Sequence, residues 1–412
     1  MTRFMLNKPE ELQDVTVVDC DSHILELPED IKGNMDKGKD TIMVLQDVSA
    51  GTRYWSVDGK LYTRPYGFAG GQIRGLIDHM VHPKWGTLNP KVKAKDFSMN
   101  DINGRLTDLD EMGVDLEVIN PSAGLMAYNM KDRIFADSFC RAYNNYVAKK
   151  IKENGTKRLY ATGIVPLQDP DLAVKELERI SSMGVFKGLA IPAFISSGNF
   201  HADKPIYHED YFRFLKRAAD LKMPIAIHVI PAVTDMPFQF LFYNWMYVRT
   251  FGFAFAAMIS ITGLITEGIF ERIPNLRVIL TEAGSGWLPY WNWWLDENFE
   301  KMDAVKKSYL SSLGIDPYPH VKKLASEYLS GGNVYCTLEG DEDPDLVRVV
   351  IEKMKLEDNL LFATDYPHIA DIQYYPDNLN MFLENIVNPA GLTRKQTSKI
   401  LGENAKELFH IS

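Results

Sequence analysis

The sequence predicts an α/β fold, a (β/α)8 TIM barrel with an inserted hairpin-containing segment after its first strand. Near-continuous apolar strands alternate with amphipathic helical stretches, which calls for a parallel sheet covered on both faces. Metal-capable side chains terminate several of those strands, as a barrel's catalytic face requires. No Gly-x-Gly-x-x-Gly or Walker loop follows any strand, so the closed barrel is preferred over a doubly wound open sheet. A barrel takes about 250 residues, and over 400 with insertions, so one domain over 1–412 accounts for the chain.

The apolar run at 15–18 opens the first strand and leads into Asp19-Cys20-Asp21-Ser22-His23, where a two-residue period sends Asp19, Asp21 and His23 to one face. A polar, glycine-containing insertion spans about residues 35–98, and the alternation at 54–62 around Asp58-Gly59 predicts a hairpin within it. Inserted after strand one, it is expected over the active-site face. Its Tyr54, Trp55, Tyr62, Tyr66 and Phe68 either line a lid or pack the insertion down, while Arg74, His79 and His82 read as polar loop residues within reach of an anionic group. From residue 100 onward helix and strand alternate. Helices are predicted at 101–112 and 171–183, the latter turning Leu172, Val174, Leu177 and Ile180 inward, and strands two to eight at 114–119, 159–165, 186–191, 224–229, 276–281, 333–337 and 360–364.

An apolar share of 46% with 24% charged residues describes a globular chain with a large core, and a net charge of -10 argues against nucleic acid or an anionic membrane as partner. A small-molecule substrate is expected instead. The longest apolar stretch, 251–265, is interrupted by Gly252, Ser260, Thr262 and Gly263 and falls short of the roughly 20 residues of a membrane span. It reads as a buried helix at a subunit interface, and a homo-oligomer is expected. Cys20, Cys140 and Cys336 are odd in number and widely spaced, and residues 1–9 lack a secretory signal pattern, so a cytoplasmic location is expected.

The chemistry sits at strand ends. His228 closes Ile225-Ala226-Ile227-His228, Glu282 closes Val278-Ile279-Leu280-Thr281-Glu282, and Asp365 closes Leu361-Phe362-Ala363-Thr364-Asp365. A buried acid or imidazole costs free energy unless paired or metal-bound, so its recurrence at four strand ends points to a metal site. His228 alone would read as a hydrogen-bonded core histidine, and Glu282 alone as a helix cap or an arginine partner. Asp19 reads as a support that orients a neighbour. Asn120, ending strand two, reads equally as a substrate contact or a turn cap. The aromatic residues at 287–294 read mainly as packing, with Trp287 also able to flank a substrate ring.

These motifs resemble the amidohydrolase-related family that includes aminocarboxymuconate-semialdehyde decarboxylase and the hydroxybenzoate decarboxylases, over nearly the whole chain. Asp19-Cys20-Asp21-Ser22-His23 matches its opening motif in the variant with an acidic middle residue, His228 its strand-five histidine, and Thr364-Asp365-Tyr366-Pro367 its strand-eight motif. The resemblance implies a divalent metal held by Asp21, His23, His228 and Asp365, with Asp365 moving protons. Asp21 in place of histidine tilts the preference from zinc toward manganese or iron. The chain departs from the decarboxylases at strand six, where Glu282 replaces an acid–base histidine, and His368 adds an imidazole at the same rim. Lys187 opens strand four instead of closing it, so a carboxylated-lysine bridge between two metals is not expected.

Glu282 and His368 therefore read either as general base and substrate contact around one metal or, preferably, as ligands completing a second site. The expected ligand set is Asp21, His23, His228, Asp365, Glu282 and His368 around one or two ions of zinc, manganese or iron, with Asp365, Glu282 and His368 as the catalytic groups. The leading functional expectation is a metal-dependent hydrolase in which metal-bound hydroxide attacks an amide, ester, thioester or related bond. The alternatives are a non-oxidative decarboxylase of an aromatic or enoic acid and a carboxylate-rich dinuclear iron or manganese-iron oxygenase.

Overall fold

The computed structural model describes residues 7–36, 42–47, 52–57, 60–62, 98–195, 204–228, 245–368 and 375–412. Eight strands form its sheet: β1 (Val18–His23), β2 (Leu116–Asn120), β3 (Leu159–Gly163), β4 (Phe186–Ile191), β5 (Ile225–His228), β6 (Val278–Thr281), β7 (Val334–Leu338) and β8 (Leu360–Phe362). They neighbour one another in chain order, every pair parallel. Just past β8 the backbone joins β1: the Asp365 N–H donates to the Asp21 carbonyl at 2.8 Å, and the His23 N–H to the Tyr366 carbonyl at 2.6 Å. Closure of the barrel thus brings the strand-one motif against the strand-eight motif.

The strands lie where continuous apolar runs allow burial on both faces. One difference concerns β1, which begins at Val18 instead of Val15 and consists mostly of the Asp19–His23 motif. Its pairing with β2 begins at Val18 and shifts register between Asp19 and Ser22. Four of the helices begin at capping aspartates: Asp101 accepts from the Gly104 N–H at 2.9 Å, and Asp132, Asp169 and Asp343 cap their own helices, each cap worth about 1 kcal/mol. Gly113, at φ 76°, ends the helix Ile102–Met112 in a left-handed conformation that favours glycine. In the helix Pro170–Ser181, Val174, Leu177 and Ile180 are buried as expected, together with Ala173, whereas Leu172 is only half-buried.

Within the insertion, Ile42–Asp47, Thr52–Val57 and Lys60–Tyr62 make a three-stranded antiparallel sheet in which Val57 pairs with Lys60 and Trp55 with Tyr62. That is the expected hairpin, although its turn residues Asp58 and Gly59 lie outside the described residues. Also outside them are Tyr66, Phe68, Arg74, His79, His82 and Val229, and the side chains of Tyr54, Trp55 and Tyr62. The apolar stretch at 251–265 falls inside the helix Trp245–Thr266, which buries Ala256, Ala257, Ile261 and Leu264. No helix among the described residues is long and apolar enough to cross a membrane.

Candidate metal centre

Asp21 and His23 leave β1 on the same side, His228 ends β5, and Asp365 follows β8 with φ at 50°, a left-handed conformation that aspartate tolerates better than most residues. All four are buried. His23 Nε2 lies 3.0 Å from His228 Nε2, 3.3 Å from Asp21 Oδ1 and 3.4 Å from Asp365 Oδ1, while His228 Nε2 lies 3.6 Å from Asp21 Oδ1. Bonds of about 2.1 Å to one cation give ligand–ligand edges of roughly 3.0 to 3.4 Å in octahedral or tetrahedral geometry. Three of the four observed distances fall in that range, and the fourth, 3.6 Å, lies just beyond it.

The donor chemistry fits as well. The buried Asp21 Oδ2 has no hydrogen-bond partner, while Asp21 Oδ1 accepts from the Asn120 amide at 2.8 Å. Burial pushes the Asp21 carboxyl up, but the His228 and His23 rings beside it outweigh that and hold it below the usual carboxylate range. Burial, reinforced by His228 and opposed by Asp21, lowers the His23 pKa and favours the neutral ring a metal needs. With Nδ1 of His23 3.1 Å from the Pro121 carbonyl, the ring proton belongs on Nδ1 and the Nε2 lone pair faces the cluster. The site is built for a divalent cation: Asp21, His23 and His228 form one group able to hold an ion, and His23, Asp365 and His368 form another.

His23 belongs to both groups, yet its Nε2 carries a single lone pair. The two groups therefore overlap on one position more readily than they divide into two. His368 stacks on His23 with ring centroids 3.8 Å apart, and its Nδ1 lies 2.8 Å from Asp365 Oδ1. Among the described residues, Glu282 is a member of neither group. Its backbone turns left-handed directly after β6, with φ at 58°, and it lines a cavity of about 180 Å³ with Phe253, Gly284, Glu339, Asp341 and Glu342.

Several supporting residues act through contacts that strand pattern does not reveal. Asp19 accepts from the Thr364 N–H at 3.1 Å and its hydroxyl at 2.5 Å, tying β1 to the end of β8 without entering the donor cluster. Asn120 neither caps a turn nor stands free for substrate, because its amide holds Asp21 and its carbonyl accepts from the Thr162 hydroxyl at 2.6 Å. Arg105 forks onto Glu117 at 2.7 and 2.8 Å and donates to the His23 carbonyl at 2.9 Å. Trp287 donates its indole N–H to the Ala283 carbonyl at 3.0 Å and packs against the core. Lys187 lies near the start of β4, its ammonium over the Tyr160 ring.

Sequence reasoning missed Ser122 and Glu26. Ser122 Oγ lies 2.8 Å from His368 Nε2 and 3.2 Å from His23 Nδ1, so one hydroxyl positions both rings. The buried Glu26 carboxylate gathers the N–H groups of Ser122, Ala123 and Gly124 at 2.7 to 3.1 Å and fixes that loop. Only the chain's fold unites them, since Ser122 and His368 are 246 positions apart. Ser122→Ala is expected to lower metal affinity or turnover by about 10–100-fold, the usual effect of losing a group that orients a ligand, with Ser122→Thr restoring part of it. Equilibrium dialysis with manganese, alongside turnover, measures both.

A gamma-resorcylate decarboxylase of Polaromonas sp. strain JS666 is 25% identical to this chain over 329 residues, covering 78% of this chain and 91% of that protein. Among solved structures, 2,6-dihydroxybenzoate decarboxylase from Rhizobium is similar with a TM-score of 0.65 at 20% identity, over 96% of this chain and 99% of the other. The 5-carboxyvanillate decarboxylase of Novosphingobium aromaticivorans, solved with manganese and 4-hydroxy-3-methoxy-5-nitrobenzoic acid, has a TM-score of 0.66 at 18% identity, each chain covered to 100%. The curated relatives' decarboxylase names correct the expectation of hydrolysis. The physical reason for the error is that a cation beside a buried acid serves either to activate water or to bind an acid substrate and deliver a proton, so the ligand set alone does not separate the two. With residues 18–411 matching the Amidohydrolase family, the chain is an enzyme and belongs to that family.

Proposed function

We propose that this enzyme is a metal-dependent, non-oxidative decarboxylase of a hydroxylated aromatic carboxylic acid. The observation that carries the reading is the likeness to gamma-resorcylate decarboxylase across 78% of the chain. We assign the ion to Asp21, His23, His228 and Asp365, and the whole of 1–412 to one barrel domain with residues 35–98 inserted above the site. When bound, a divalent cation supplies the positive charge that fixes the substrate's oxygen donors and offsets the two acids.

The remaining chemistry is a proton transfer. Loss of carbon dioxide breaks a carbon–carbon bond whose electron pair stays on the ring carbon, and a proton must arrive there. Asp365 is the acid of this proposal, and His368, 2.8 Å away, returns the proton to it. The side chain of His368 is 24% exposed, which links the buried acid to solvent. His368 thereby takes up the task for which the decarboxylases of the resemblance use a strand-six histidine, the position of Glu282 here. Cys20, Cys140 and Cys336 are free and buried, which suits the reducing cytoplasm we infer for the enzyme.

Manganese-loaded protein incubated in deuterium oxide with 2,6-dihydroxybenzoate, 5-carboxyvanillate and related ortho-hydroxybenzoates tests the reading. Carbon dioxide should evolve from at least one of them, with one deuterium on the vacated carbon. Folded, metal-loaded protein that releases none across that panel would sink the proposal.

A further inference from the structure

The helix Ile102–Met112 carries Arg105, Asp108 and Glu111 at steps of three, which sets them along one side. Packing alone asks for apolar residues on its buried face, as at Leu109 and Met112, and aspartate is a poor helix former. Asp108 is nevertheless fully buried. Its Oδ2 accepts from the Tyr366 hydroxyl at 2.6 Å and its Oδ1 from the Tyr375 hydroxyl at 2.9 Å. Tyr375 shares that proton with Glu111 Oε2 at 2.5 Å, and the two tyrosine rings lie with centroids 5.7 Å apart. Burial raises the pKa of both phenols, so both remain donors. The chain therefore leaves the barrel at Tyr366 and returns at Tyr375 onto one carboxylate, and His368 lies within the span so closed.

We propose that Asp108 is a positioning residue for proton delivery: by holding Tyr366 and Tyr375 together it fixes His368 against Asp365. The inference rests on the role assigned to His368 in the decarboxylase reading. Tyr366 is the link. It stands between Asp365 and His368, its carbonyl accepts the His23 N–H at 2.6 Å, and its own N–H donates to the Thr364 hydroxyl at 3.1 Å. The His368 N–H then turns back onto the Asp365 carbonyl at 2.8 Å, so one short turn separates the imidazole from an anchored phenol. Ser122 holds only the far nitrogen of that ring, 2.8 Å from Nε2. The other nitrogen, Nδ1, keeps its 2.8 Å distance to Asp365 Oδ1 through the backbone that Tyr366 carries. A carboxylate accepting from two phenols is a stiffer anchor than apolar contact, because charge-assisted hydrogen bonds are both stronger and directional. Arg105 on the same helix holds the His23 carbonyl, so this one element fixes the metal-facing ring of β1 and the turn after β8 relative to each other.

Asp108→Ala in the manganese-loaded full chain should lower kcat by about 10–100-fold, with KM and manganese content within about twofold of wild type. The solvent deuterium isotope effect on kcat should rise, since return of the proton becomes limiting. Tyr375→Phe keeps the ring and removes one of the two phenols; it should move the same quantities in the same direction by a smaller factor, and it serves where Asp108→Ala does not fold. Adding Tyr366→Phe and Tyr375→Phe to Asp108→Ala removes the orphaned hydroxyls, which should restore the melting temperature without restoring kcat. Hydrogen exchange at C2 of the His368 ring, followed by mass spectrometry, needs no substrate. Asp108→Ala should speed it by about threefold or more, with the exposed His208 and His410 unchanged as controls. Unchanged exchange at His368 in the folded variant, or recovery of kcat together with the melting temperature, overturns the proposal. Wild type that releases no carbon dioxide overturns the decarboxylase reading instead, and ring exchange at His368 then decides whether Asp108 positions it.

Discussion

Asp365→Asn is expected to lower turnover by about 10²–10⁴, the range general acid–base groups contribute, while the protein stays folded. Asparagine is the informative replacement because Asp365 holds φ at 50°, a conformation asparagine adopts readily and alanine does not. The backbone bond from Asp365 N–H to the Asp21 carbonyl survives the change, so the barrel closes as before. What is lost is a carboxyl 2.8 Å from His368 Nδ1 and 3.4 Å from His23 Nε2, replaced by an amide that cannot release a proton at neutral pH. Because Asp365 is also assigned to the ion, metal content has to be measured beside turnover. Loss of carbon dioxide release and deuterium transfer at retained metal content identifies the acid. A variant turning over at the wild-type rate would place the proton source elsewhere.

The sequence made the barrel legible because its strands are buried on both faces and read as short apolar runs. Each polar residue that breaks such a run at its end therefore stands out. Asp21, His23, His228 and Asp365 were visible for that reason, and strand alternation placed Asp21 and His23 together despite the register shift in β1. Glu282 ends an apolar run just as visibly, but what it faces depends on one left-handed backbone angle that alternation does not encode. Ser122 and Glu26 gave no signal, and Asn120 stood out only as a strand-end residue without its role, since ordinary polar residues near turns acquire a role only when barrel closure brings distant loops together. The aromatic residues at 287–294 divided in the same way. Trp287 and Trp291 pack inward, while Tyr290, Trp293 and Trp294 face out, as helical phase dictates once the helix is docked. Hydrolysis and decarboxylation were not separable at all from residues that both reactions use.

His228→Ala is expected to abolish metal binding and, with it, activity by about 10³-fold or more, since charge stabilisation by a cation is worth several kcal/mol. The geometry makes His228 hard to replace. Its Nε2 and that of His23 approach to 3.0 Å with Asp21 Oδ1 3.6 Å from one and 3.3 Å from the other, and such a set is stable only around a shared proton or a shared cation. Removing one imidazole leaves two acids and one histidine, which lowers affinity and opens a water-sized gap at the end of β5. Fold should persist, because barrel stability resides in the packed interior and the face opposite the active site. Melting curves with and without manganese separate the effects: wild type gains stability as the ion binds the folded state, by RT ln(1 + [Mn]/Kd), and the variant should gain none. Equal manganese content and equal thermal gain in the two proteins would mean that the ion sits elsewhere, and with it the assignment of Asp21, His23 and Asp365 would fall.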